Sequence, residues 1–191
     1  MTSSSRTTAP AWSERLIREL DAADARAQAV AQALTLEQLN WKPSPAEWSV
    51  GQCLEHLSIA NEVYLEVMTP ALEGHPRAVV QEITPGWLAR LFIRTYIAPS
   101  PKTRRGPAPR KIRPSSEVPA SVLQRFLSTN RALRAFIDRA RHYDVNRIRF
   151  KNPFVGLIRW TIGTGLEITS KHEMRHLLQA ERVRGRFRAG A

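Results

Sequence analysis

The chain has 191 residues, 42% of them hydrophobic, with 29 Lys and Arg against 17 Asp and Glu and a formal net charge of +12. That length and apolar content suit one domain with a sizeable core, and no apolar run approaches the roughly 20 residues that a membrane-spanning helix needs. A single cysteine, Cys53, excludes an intrachain disulfide and fits a reducing compartment.

Residues 1–9, MTSSSRTTA, lack the apolar stretch of a secretory signal and read as a flexible N-terminus, so the cytoplasm is the expected location. Trp12, Leu16, Leu20, Ala23, Ala27, Val30 and Leu34 then recur at three- and four-residue spacing and predict an amphipathic helix. Residues 39–48 contain Pro43 and Pro45, cannot be helix interior, and read as a crossing loop anchored by Trp41 and Trp48. Ser49 and Gln52 form a capping box that opens a second helix over residues 50–68, stopped by Pro70. Its inward line is Gln52, Cys53, His56, Ala60, Val63 and Val67. Glu55, Glu62 and Glu66 fall on the opposite side, toward water.

Residues 86–98, GWLARLFIRTYIA, predict a short and very apolar helix packed over an end of the core. Residues 98–117 form a basic loop, with Lys102, Arg104, Arg105, Arg110, Lys111 and Arg113 among five prolines. Pro119 opens a third long helix whose stripe is Val122, Phe126, Leu133, Ile137 and Ala140, ending near His142. Residues 147–159 are irregular and carry no strong strand signal. A last helix over residues 161–183 directs Gly165, Ile168, His172, His176, Gln179 and Val183 inward, and residues 185–191 read as a flexible basic tail. The expected fold class is all-α: four long helices and a short extra helix in one bundle domain of residues 10–184.

The positive charge raises nucleic acid or an anionic membrane surface as partners. Much of it lies in the loop and the tail, where solvated basic side chains need no specific partner. No nucleic-acid-reading module accompanies it, so nucleic acid is not the expected partner.

The chemistry-bearing motif is His172-Glu173-Met174-Arg175-His176, which reads H-E-x-x-H. Residues four apart lie on one helix face, so both imidazoles can reach one metal ion, as in zinc-dependent proteases. A catalytic zinc takes three protein ligands and keeps an open position. The fifteen residues after His176 contain no His and no Asp, and their one carboxylate, Glu181, is too near on the same helix to fold back. The extended motif with a third histidine fails as well, because Gln179 and Arg182 stand where it requires Gly and His. The third ligand must therefore lie upstream. Of His56, His75 and His142, only His56 falls mid-core on an inward helix face, which is where bundles place metal ligands.

Two segments carry a family resemblance. PSPAEWSVGQCLEHL, residues 43–57, and KHEMRHLLQAERVR, residues 171–184, together resemble the motifs of the DinB-like superfamily. The middle segment APRKIRPSSEVPASVLQRFLSTN is similar to the same superfamily's loop and third helix. The resemblance implies a four-helix bundle of up-down-down-up arrangement with a long crossover. It implies a divalent metal on His56, His172 and His176, and often a homodimer. Members with assigned activity are thiol S-transferases that use low-molecular-weight thiols, thiol-dependent isomerases and a few hydrolases. The expected function is thus a metal-dependent enzyme in which the ion activates a water or a thiol against a small electrophile. Zn²⁺ or Ni²⁺ is the expected ion, with Fe²⁺ and Mn²⁺ as alternatives. The competing expectation is a non-catalytic bundle that binds metal or senses a ligand, with the basic loop as its interaction surface.

Four further residues bear on the site. Glu173 is the candidate catalytic residue, as a general base, or else a carboxylate turned to a neighbouring helix or solvent. Cys53, one turn before His56, is a fourth ligand or nucleophile on one reading and a small core residue on the other. Gln52 and Gln179 are candidates to orient the ligand rings. His75 and His142 read as surface residues.

Overall fold

Four long amphipathic helices dominate the structure, a computed structural model that describes residues 9–100 and 108–189. The first helix, α1 (Ala11–Ala31), buries Trp12, Leu16, Leu20, Ala23, Ala27 and Val30 of the predicted stripe and ends before its last member, Leu34, which is half-buried. A five-residue helix, α2 (Leu36–Asn40), follows, opened by a capping box of Thr35 and Gln38, and takes the first two residues of the expected loop. Helix α3 (Val50–Ala71) begins at the predicted Ser49–Gln52 capping box. Pro70 lies within its last turn instead of stopping it, because a proline there forfeits only one terminal backbone bond.

Helix α4 (Trp87–Phe92) continues as a π-helical turn over Ile93–Ile97. A 3₁₀ turn at Arg110–Ile112 precedes α5 (Val122–Ala140). Two short strands, β1 (Arg149–Lys151) and β2 (Arg159–Thr161), form an antiparallel hairpin with Phe150 opposite Trp160. The sequence carries no strong sign of them because three residues are too few for an alternating pattern; each strand buries one aromatic ring. Helix α6 (Ile162–Ala189) runs past Val183, held there by Phe187 against Trp41 at 5.4 Å and by an Arg186–Glu47 ion pair at 2.8 Å. Residues 1–8, the Lys102, Arg104 and Arg105 part of the basic loop, and residues 190–191 lie outside the described residues. No helix among the described residues is long and apolar enough to cross a membrane.

Helix α3 packs on α5 and α6, and α1 packs on the same two. Met68 meets Gly165 while Asn61 meets Glu173, so α3 and α6 run in opposite directions. Arg15 pairs with Glu167 and Arg26 with Glu181, so α1 and α6 run together. The core has two apolar halves. One gathers Trp12, Leu16, Met68, Leu133 and Leu166; the other gathers Ala27, Leu54, Leu57, Phe126 and Leu177. Between them, on α3, α5 and α6, lies a polar layer of His56, Asn61, Asn130, Glu173 and His176, all buried. Polar side chains in that position are stable only if they satisfy one another or a ligand.

Packing overturns a further expectation. Glu55, expected to face water, is 6% exposed. Its carboxylate accepts the Ser115 backbone N–H at 2.7 Å and the Ser115 hydroxyl at 3.2 Å. The chain after the basic stretch folds back across α3, an event about sixty residues away that helical periodicity cannot register. Glu62 and Glu66 are exposed as expected.

Candidate metal centre

The three histidines named from the sequence come together. One ring nitrogen from each of His56, His172 and His176 lies within 4.8 Å of the other two. The rings stand edge to face, with centroids 4.6 to 4.9 Å apart. His56 enters from α3, and His172 and His176, one turn apart, enter from α6. His56 is 2% exposed and His176 8%, while His172 is partly exposed, so the cluster's open edge lies at His172.

The tautomers favour a cation. His56 Nδ1 donates to the Ile112 carbonyl at 2.6 Å, so a neutral His56 presents a bare Nε2 to the cluster. His176 Nδ1 likewise donates to Gln179 Oε1 at 3.0 Å. The His56 and His172 Nε2 atoms lie 3.1 Å apart. Backbone or side-chain acceptors on the far nitrogens of ligating histidines are the usual means of fixing ring orientation. Burial lowers the His56 pKa to about 4 and holds His172 and His176 well below the ordinary value; in all three the Arg175 guanidinium adds to the effect. The rings are therefore neutral at pH 7, the state in which imidazole ligates. A donor set of three neutral nitrogens with convergent lone pairs fits zinc or another borderline divalent ion.

The other candidates sit elsewhere. Glu173 is 1% exposed, and its carboxylate accepts from Asn61 Nδ2 at 2.7 Å and Asn130 Nδ2 at 3.4 Å, on α3 and α5. Burial pushes its carboxyl up to about 8, with the Asp24 carboxylate adding to the rise and the Asn61 hydrogen bond opposing it. Its neighbours in space are thus the two asparagines. Cys53 is fully buried in the apolar half beyond the histidines, and burial pushes its thiol up to about 12, where no thiolate forms at neutral pH. Gln179 contacts a ligand ring as expected. Gln52 does not: it donates to the Ser115 carbonyl at 2.6 Å and the Ser116 carbonyl at 3.3 Å, holding the segment that supplies Ile112. His75 is exposed and His142 half-buried, and neither joins the cluster.

Two contributors escaped the sequence reading. The Ile112 carbonyl had one available signal, since Ile112 is the lone large apolar residue among Lys102 to Arg113. It is 5% exposed, packed with Ala60 and Val63. Trp48, expected only as a loop anchor, stacks over the site, with its ring centroid 4.7 Å from His56 and 5.6 Å from His176.

Neither the curated proteins nor the solved structures include a match to this chain. The sequence pattern of the DinB superfamily does match, over residues 19–180, a span that contains all three histidines, both fixing partners and the four long helices for most of their length. Most of the chain is thus accounted for by one pattern: it belongs to the DinB superfamily.

Proposed function

We propose that this protein is a metal-dependent enzyme in which His56, His172 and His176 hold one divalent ion, Zn²⁺ or Ni²⁺ before Fe²⁺ or Mn²⁺. Bound there, the ion supplies Lewis acidity that lowers the pKa of a water or a thiol and readies it to attack a small electrophile. Thiol S-transfer from a low-molecular-weight thiol is the first reading and hydrolysis the second. The observation that carries the proposal is the pair of fixed tautomers, at His56 through Ile112 and at His176 through Gln179, which turn two bare Nε2 atoms toward His172.

The chain's own residues have separable tasks. Ile112 and Gln179 orient rings. Trp48 shields His56 and His176 from water on one side. With its carboxyl between Asn61 and Asn130, Glu173 fixes how α3, α5 and α6 meet; a general-base role needs that side chain to turn toward the open edge at His172. Cys53, buried and protonated, leaves the fourth position to ligand, which favours a catalytic over a closed structural site.

The helix directions support an up-down-down-up bundle, since α1 and α6 run together, opposite to α3. The proposal takes the protein to act in the cytoplasm as a homodimer. Its test is a thiol-consumption assay on zinc-loaded protein with a small thiol and an aryl halide. Turnover should require the metal and vanish in His172→Ala with helical circular dichroism unchanged. Equal turnover without metal, or a metal-free protein that is unfolded, contradicts it; the latter outcome makes the ion structural.

A further inference from the structure

We propose that helix α4 and the β1–β2 hairpin together dock the protein on an anionic lipid bilayer. Their exposed apolar side chains enter the boundary between headgroups and acyl chains, and their cations meet the negative headgroups. The inference stands apart from the metal reading.

The apolar part comes from two adjoining elements. Helix α4 and its π-helical turn direct Ala89 and Ile93 into the core, while Trp87, Leu88 and Leu91 are exposed. Those three lie within about 100° of one another around the helix and so make one patch. Trp87 is 72% exposed. Leu157, in the turn between β1 and β2, is 99% exposed, and Val155 in the same turn is exposed as well. Helix and hairpin are neighbours, because Phe92 packs on Trp160 with ring centroids 5.7 Å apart. Scattered single apolar side chains on a surface are ordinary, but a cluster of this kind marks an interaction site.

The charge around these side chains is of one sign. Residues 83–116 and 145–166 contain no Asp or Glu. Arg90 and Arg94, four residues apart, are exposed along one edge of the apolar patch. On the hairpin Phe150 and Trp160 face inward, while Arg149, Lys151 and Arg159 face out. Lys151 and Arg159 stand directly opposite each other, a placement that costs stability unless an anion lies against it. None of these five cations forms an ion pair among the described residues.

One occupant uses both features. Nucleic acid would engage the cations and leave Trp87 and the leucines in water. A second copy of this chain would set like charge against like charge. A projecting tip such as Leu157 suits a surface that yields to it. An anionic bilayer offers negative headgroups and, about 5–10 Å below them, an apolar boundary that takes Trp and Leu; arginine at the edge of an apolar helix face is the pattern of an interfacial helix.

The experiment is flotation of the purified protein with vesicles of phosphatidylcholine, either alone or with about 30% phosphatidylserine. Binding to the anionic vesicles should exceed binding to the neutral ones by about tenfold or more and fall steeply with added salt. Arg94→Gln and Lys151→Gln should each weaken it about fivefold. Leu157→Ser should weaken it about tenfold with thermal unfolding unchanged, because that side chain buries nothing in the folded protein. No flotation, equal flotation with neutral vesicles, or full binding by Leu157→Ser overturns the proposal. Retention of a DNA duplex without flotation gives the cations to nucleic acid and overturns it too. So does a wild-type dimer that Leu157→Ser converts to monomer in sedimentation equilibrium, since the patch is then an interface between copies.

Discussion

Glu173 is the acid of the motif that looks proteolytic, yet its surroundings assign it a proton rather than a charge. Its carboxyl is raised from 4.5 to about 8, chiefly by burial. Between those two values the folded state keeps a proton that the unfolded state has lost. Its contribution to stability is therefore complete below 4.5 and is lost as the pH rises through 8. Glu173→Gln removes that loss, because the amide keeps an acceptor for Asn61 and never ionises. It should stabilise the protein by about 4 kcal/mol near pH 8 and by little below pH 4.5, measured as thermal unfolding across pH. Asn61 Nδ2 serves Glu173, Asn130 and Thr129 together, while its buried Oδ1 has no hydrogen-bond partner among the described residues. Sequence alone located Glu173 within the motif but not its partners, since Asn61 and Asn130 lie on two other helices.

At the scale of elements, the helices were legible wherever an apolar stripe or a capping box marked them. The predicted stripe of α1 and the Ser49–Gln52 start of α3 both stand in the structure. What escaped was brought by chain returning from a distance: the hairpin, the burial of Glu55, and the Ile112 carbonyl behind His56. The meeting of α3 and α6 has a sequence trace in Gly165. A Cβ there would lie 2.7 Å from Met68 Sδ and 2.8 Å from Phe150 Cζ. Gly165→Ala should therefore cost about 1–3 kcal/mol by overpacking. Gly185, on the same helix with nothing within 4 Å of its Cβ position, is the control; Gly185→Ala should add up to about 1 kcal/mol through helix propensity. Urea midpoints of the two variants with an unchanged slope would measure both.

For the whole molecule, the two apolar halves and the polar layer between them explain why the site was readable as a set. The layer cuts each of three long helices at one level, so residues far apart in sequence share it: His56, Asn61, Asn130, Glu173 and His176. Inward helix faces located His56 and the pair on α6, and the absence of any downstream ligand joined them. The basic loop stayed illegible because charge and proline describe composition, not contact; its described residues are anchored by the apolar Ile112 and by Ser115 and Ser116 against Glu55 and Gln52. The central claim is that α3 and α6 share one ion. Elemental analysis of purified protein beside its His56→Ala variant tests it most directly. About one divalent ion per chain is expected in the wild type, with most of it lost from a variant that stays folded. Full metal content in His56→Ala would contradict the three-histidine site.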